Sequence, residues 1–278
     1  MLRIFSAIAC CHYTMHFICP LCREPLITTA QGASCIHRHH FDRAKEGYLN
    51  LLPVQQKKSR EPGDAKAQLR ARREFLAAGY FAPLIAPLCE LIPPATQTLL
   101  DIGCGEGYFT HALQQHLSAS ALVYGIDIAR EGIKLAAKKY QGCYAVASSF
   151  ALPLADHSMQ VITRIYAPDC DAELQRVLAQ DGQVIIVAPA ANHLLGLRKL
   201  IYQDVRPHLP PPPPTKFTER HTRRVSFSLS IPAGPMTEAL LQMTPFSWRL
   251  TAPLRQELIA TGLEDEVDFY LSAYIRSE

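Results

Sequence analysis

The chain has 278 residues, 48% of them hydrophobic, and a formal net charge of +3, enough apolar mass for one large α/β domain plus a small module. No run of about 18 apolar residues occurs, which excludes a helical membrane span. The nine cysteines are an odd number. Three of them cluster with histidines near the start, and Cys89, Cys104, Cys143 and Cys170 lie scattered in apolar surroundings. Scattered single cysteines pack as small hydrophobes in a reducing cytosol, so a cytoplasmic location is expected.

In chain order, residues 1–14 are mildly apolar and loosely similar to a short signal peptide. The apolar run is brief, however, and Met15 is the more natural start, so 1–16 is read as an extension. Residues 17–55 form a compact module with Cys19, Cys22 and Cys35 in the spacing C-x₂-C, twelve residues, then C-x₃-H at His39. A C-x₂-C turn brings two thiolates to one metal without strain, and a second pair completes a tetrahedron. His37 and His40 compete with His39 for the fourth position. A closed set of four ligands implies a structural zinc ion. This segment has few aliphatic core residues, and such a metal contributes on the order of 10–16 kcal/mol in finger-like modules.

Residues 56–97 read as a basic linker and two helices. Lys57, Lys58, Arg60, Lys66, Arg70, Arg72 and Arg73 stand against only Glu61 and Asp64, a candidate footprint for phosphates or simply a solvated helix face. Asp64 is the expected N-cap of a helix over 65–78 that Gly79 stops. A second helix over 82–92 ends at Pro93-Pro94, and Pro87 weakens it.

From Thr98 onward, short apolar strands alternate with amphipathic helices, the pattern of a parallel sheet. Strands are expected at 98–102, 122–127, 143–147, 160–165 and 183–188, and helices at 107–117, 130–140 and 171–179. A turn is expected at Asp181-Gly182. Beyond Pro189 the regularity changes, and prolines at 210–214 mark a stiff exposed segment. Alternating residues predict strands over 225–231 and 267–275, with helices near 236–243 and 253–261. The expected fold is α/β: a Rossmann-like, seven-stranded, doubly wound sheet over 98–278, preceded by the small zinc-binding domain.

The loop after the first of these strands carries Asp101, Gly103, Gly105 and Gly107 in the pattern D-x-G-x-G-x-G. Glycine lets the backbone turn sharply and approach a ligand closely, and the loop opens into a helix at the carboxyl end of the sheet. A dinucleotide loop would read G-x-G-x-x-G, and here the third glycine comes one residue early. The string resembles the cofactor loop of class I S-adenosylmethionine (SAM) methyltransferases. Asp101 provides an anionic neighbour for the methionine amino group, and Asp127, ending the second strand, is placed to accept from both ribose hydroxyls. Ser148 and Ser149 stand where many relatives carry an aspartate against adenine. Arg164 to Pro168 close the fourth strand, where this superfamily places the acceptor atom, without the Asp/Asn-Pro-Pro-Tyr/Phe motif of DNA amino-methylases.

Longer strings narrow the resemblance. F-x-C-P-L-C at 17–22, H-x-F-D-x-A-K-E-G-Y-x-N-L-L-P-V-Q at 39–55, L-D-I-G-C-G-E-G-Y at 100–108, R-I-Y-A-P at 164–168 and L-L-Q-M-T-P-F-S-W at 240–248 are similar to the bacterial large-subunit rRNA guanine-N1 methyltransferases of the RlmA/RrmA type. The resemblance covers residues 15–275. It implies a structural zinc ion on Cys19, Cys22, Cys35 and His39, and SAM contacts at Phe81, around Glu106-Gly107 and at His193. It also implies 1-methylguanine in a hairpin loop of 23S rRNA, of the guanine(745) type, and it leaves a homodimer open. The chain departs from the pattern at Asp169 and at the proline run.

For the reaction, Asp169 and Asp171 are candidate bases, Tyr166 and Trp248 candidate stacking partners for the extruded base, and Arg70, Arg72 and Arg73 candidate RNA contacts. Two other readings stand beside this one. A small-molecule methyltransferase of the quinone-biosynthesis kind shares L-P-L-x-D-x-S at 152–158 but leaves the metal module unexplained. A zinc-dependent RNA-binding protein without activity would not need intact glycines and both acids.

Overall fold

The computed structural model describes residues 16–56, 63–168 and 170–277. The readings placed on 1–14, on Lys57, Lys58, Arg60 and Glu61, and on Asp169 lie outside them. The first strands are short: β1 (Ile27–Thr28), β2 (Gly32–Ser34) and β3 (His40–Asp42) make a three-stranded antiparallel sheet. Strand β4 (Leu49–Asn50) leaves that sheet and pairs in parallel with a strand of the main one.

Helix α1 (Lys66–Ala77) follows. Its N-cap is Ala65 rather than Asp64, whose carboxylate instead pairs with Arg72 at 3.0 Å. A 3₁₀ turn over Ala82–Leu84 runs into α2 (Ile85–Glu90), so the expected helix over 82–92 is a 3₁₀ turn and a short α-helix that contains Pro87 and ends at Glu90. The alternating region then gives β5 (Thr98–Ile102), α3 (Tyr108–His116), β6 (Leu122–Asp127), α4 (Arg130–Lys139), β7 (Cys143–Val146), β8 (Met159–Ile165), α5 (Asp171–Val177), β9 (Leu178–Pro189), α6 (Leu195–Ile201), β10 (Phe217–Ile231), α7 (Pro235–Met243), α8 (Ala252–Thr261) and β11 (Leu263–Arg276).

The main sheet has the order β10-β11-β9-β8-β5-β6-β7-β4. Its seven long strands are those expected, with β10 and β11 antiparallel, and the short β4 adds an eighth at the edge. Strand β9 begins five residues before the predicted start. Leu178 pairs with Met159, and pairing resumes only at Gln183 with Val161, so Asp181-Gly182 lies in a bulge rather than a turn.

Side chains of β5 alternate between the two faces of the sheet. Leu99 joins a core with α1, α2, α3, α7 and α8, whereas Leu100 and Ile102 share a second core with Phe17, Cys19, Leu26 and Cys35. The metal-ligand segment therefore takes the place of a covering helix on that face. Phe17 meets Tyr124 edge to face at 5.3 Å, Ile18 N–H donates to the Pro153 carbonyl at 3.0 Å, and Arg23 pairs with Asp156 at 2.9 Å. The apolar support thought missing from this segment comes from the sheet beneath it.

Candidate cofactor cleft and metal centre

Cys19, Cys22, Cys35 and His39 present ligand atoms that all lie within 4.8 Å of one another. Cys22 Sγ is 3.6 Å from Cys35 Sγ, and His39 Nδ1 is 3.4 Å from both Cys19 Sγ and Cys35 Sγ. A tetrahedral zinc ion with Zn–S bonds of about 2.3 Å needs ligand separations near 3.8 Å, so the donor set fits. His40 is excluded because it bonds Ser34 Oγ at 2.8 Å and Asp42 at 3.2 Å. His37 is exposed and outside the cluster.

The glycine loop between β5 and α3 needs its glycines. Gly103 has φ +73°, and a Cβ there would sit 2.6 Å from the Ala167 Cβ; at Gly107, φ is +83° and the Ala136 Cβ would be 2.8 Å away. The loop floors a cleft formed by two adjoining cavities of about 350 and 320 Å³, which share Arg72, Gly103, Ile165 and Tyr166.

The first cavity holds Phe81, Asp101, Gly105, Glu106 and His193, and the second holds Asp127, Ser148 and Ser149. All eight residues expected to hold the cofactor except Gly107 thus line one continuous cleft. Gly107 stands behind it as the N-cap of α3.

The acids differ in kind. Asp101, 2% exposed, accepts from Thr110 Oγ1 at 2.6 Å and Thr163 Oγ1 at 2.9 Å, and burial pushes its carboxyl up to about 6. Both oxygens are engaged beneath the loop. Glu106, 4% exposed, has a buried Oε2 without a hydrogen-bond partner, and burial pushes its carboxyl up to about 7. Glu106 lines the cleft and keeps a buried acceptor without a donor, which suits an ammonium group, whereas each Asp101 oxygen already accepts a hydroxyl hydrogen bond. Asp127 accepts from Gly105 N–H at 2.9 Å and Ala129 N–H at 2.7 Å, with one lone pair left on each oxygen, and burial raises its carboxyl.

His193 belongs to an aromatic wall. Its ring lies 4.8 Å from Phe269, which also meets Phe81 at 5.6 Å. The Asp268 N–H points at His193 Nδ1 at 3.4 Å, and Tyr166 Oη is 3.3 Å from Nε2. That network assigns the proton to Nε2, and burial holds the imidazole down to about 4, so it is neutral at pH 7.

Two expectations change. Asp171 accepts from Thr215 N–H at 2.7 Å and is not on the cleft wall, so it is poorly placed as a base. Arg72 is turned into the cleft rather than outward to RNA, while Arg70 is exposed. Tyr166 and Trp248 are open to the stacking expected of them: Tyr166 is half-exposed on the cleft wall, and Trp248 is 81% exposed, close in sequence to the lining residues Pro245 and Phe246. Sequence reasoning also missed His208 and Phe109 on the wall; neither lies in a recognisable motif.

A mostly parallel sheet in which β11 alone runs against its neighbours, a glycine loop after its central strand and an acidic residue ending the next strand define a class I SAM-dependent methyltransferase fold. A family model described as "RlmA, N-terminal" matches residues 17–60, and one described as a methyltransferase domain matches 95–206. Over 92% of this chain and 96% of the relative, the sequence is 31% identical to the Bacillus subtilis protein named "Putative 23S rRNA (guanine-N(1)-)-methyltransferase YxjB". It is 29% identical to the 23S rRNA (guanine(748)-N(1))-methyltransferase of Streptomyces fradiae over 64% of the chain and 65% of that relative. The chain belongs to the 23S rRNA (guanine-N1)-methyltransferase family. Among the described residues, no helix is long and apolar enough to cross a membrane.

Proposed function

We propose that the chain transfers a methyl group from SAM to N1 of a guanine in a hairpin loop of 23S rRNA. SAM supplies an intrinsically activated methyl group, so the protein's task is alignment. Asp127 orients the ribose hydroxyls, and Ile128 and Phe150 flank the adenine end. Glu106 receives the ammonium group, and Phe81 with neutral His193 walls the methionine end. Tyr166, at the end of β8, and Trp248, at the mouth, provide faces on which an extruded base stacks.

One observation carries this reading against a small-molecule substrate. The metal ligands Cys19 and Cys35 share an apolar core with Leu100 and Ile102, in the strand that runs directly into Gly103. The metal module is thereby fixed relative to the cofactor loop, an arrangement suited to presenting a large folded substrate. Asp171 being pinned elsewhere, release of the N1 proton to water is the simplest route.

Guanine(745) is the proposed target type, beside the guanine(748) named for the Streptomyces fradiae relative. From the proposed rRNA substrate we infer a cytoplasmic location. A homodimer is a further proposal, which sedimentation velocity of the purified protein decides.

The test is transfer of tritiated methyl from SAM to unmodified 23S rRNA, followed by nucleoside digestion. Label in 1-methylguanosine is expected. Label in another nucleoside, or transfer to a quinone precursor only, would overturn the proposal.

A further inference from the structure

The cleft is unevenly charged. Among its described lining residues, Asp64, Asp101, Glu106 and Asp127 are carboxylates, and Arg72 is the only arginine or lysine. The two other basic side chains, His193 and His208, are both pushed toward the neutral form, chiefly by burial. SAM brings two cations, the sulfonium and the ammonium, and one anion, the methionine carboxylate. The acids answer the cations, and a single side chain is left to answer the anion.

Arg72 is placed for that. Leu69 and Leu76 of α1 are buried, and Arg72 lies on the same stripe at the spacing i, i+3, i+7. Its side chain is one-third exposed and lines both cavities at their junction. Arg72 Nη2 holds Asp64 Oδ2 at 3.0 Å, and Nη1 faces Gly105, 3.8 Å from where a Cβ would stand. Its positive charge also opposes the upward shift of the Glu106 carboxyl. Asp64 thus fixes the guanidinium between the glycine loop and the acid that would receive the ammonium group. A planar fork of N–H donors matches a carboxylate in both charge and geometry.

We propose that Arg72 binds the methionine carboxylate of SAM and that Asp64 orients it. This rests on the cofactor reading of the cleft. It gives an arginine from the basic stretch a role in cofactor recognition instead of RNA binding.

Decarboxylated SAM, which lacks only the carboxylate, separates the possibilities. Affinities of the wild type, Arg72→Gln and Arg72→Lys for SAM and for decarboxylated SAM are measured by calorimetry on the full chain. The wild type is expected to prefer SAM. In Arg72→Gln, SAM affinity should fall on the order of 10- to 100-fold, as for loss of a charged hydrogen bond, while affinity for decarboxylated SAM stays the same or improves. Arg72→Lys should recover part of the preference.

An Arg72→Gln protein that keeps the wild-type preference would overturn the proposal. So would one that loses both ligands equally, which marks a structural role. A wild type that binds neither ligand would instead remove the cofactor reading itself.

Discussion

Glu106 should make cofactor binding depend on pH. Burial moves its carboxyl from 4.5 to about 7, so holding the charge in the cleft before the cofactor arrives costs about 3 kcal/mol. An ammonium group beside Oε2 recovers that cost. Binding therefore requires the ionised form, and affinity should rise with pH until Glu106 is deprotonated. With a titration near 7, about a tenth of the protein is ionised near pH 6 and nine-tenths near pH 8, so affinity for S-adenosylhomocysteine should tighten about tenfold across that interval. Calorimetry in buffers of different ionisation enthalpy should show release of nearly one proton per ligand near pH 6. Glu106→Gln should bind more weakly and lose this component. The difference between the two proteins isolates Glu106 from Asp101 and Asp127, which are also raised. A wild-type affinity that is flat, or that tightens toward acid, would refute the argument.

The purified protein should carry one zinc ion per chain by elemental analysis, and Cys35→Ser should lose it. Because Cys19 and Cys35 lie in one core with Leu100 and Tyr124, that loss should lower the melting temperature of the whole chain; an unchanged transition would contradict the shared core. Gly103→Ala should destabilise the chain by about 2–4 kcal/mol in urea unfolding, because a left-handed backbone coincides with a 2.6 Å contact at Ala167. Gly105→Ala, with only Arg72 Nη1 within 4 Å, should cost about 1 kcal/mol.

Arg224 holds fully buried Asp268 through bonds of 2.6 and 2.5 Å, and Asp268 in turn accepts from Asn192 N–H at 2.8 Å beside His193. The Asp268 carboxyl is held below its ordinary 3.8: burial opposes this, but Arg224 outweighs it. The pair therefore stabilises above that value and loses its effect as pH falls. Arg224→Ala should lower stability near neutral pH, because it leaves the fully buried Asp268 carboxylate without its cation. The gap from wild type should narrow only as pH falls below about 3.8, where Asp268 takes up a proton.

The elements legible in the sequence were those whose periodicity reports one buried face. β5 to β8 and α3 to α4 fell close to their expected bounds because apolar residues recur there at strand or helix spacing. The candidate metal cluster was legible because the spacing of its thiolates is itself the chemistry, with His39 chosen through the resemblance, and the four side chains do converge. Strand β10 begins eight residues earlier than its alternation suggested, since Thr218 to Arg224 are polar on an edge and are held by backbone pairing to β11. Helix α6 was missed; it is short, and its N-cap Leu194 has φ +49° in place of a capping side chain. Arg72 was misread because counting charges says nothing about which helix face they occupy. Its spacing from Leu69 and Leu76 carried that information. The carboxylate of Glu106 was expected near the cofactor only through the family resemblance, and its unpaired oxygen became visible only in three dimensions.

The central claim is most directly tested by mass mapping of 23S rRNA from a strain lacking the gene, complemented with the wild type or with Cys19→Ser. The account predicts that one hairpin-loop guanine loses its N1 methyl in the deletion, regains it with the wild type, and stays unmethylated with the metal-ligand variant. An rRNA whose methylation is the same in all three strains would contradict it.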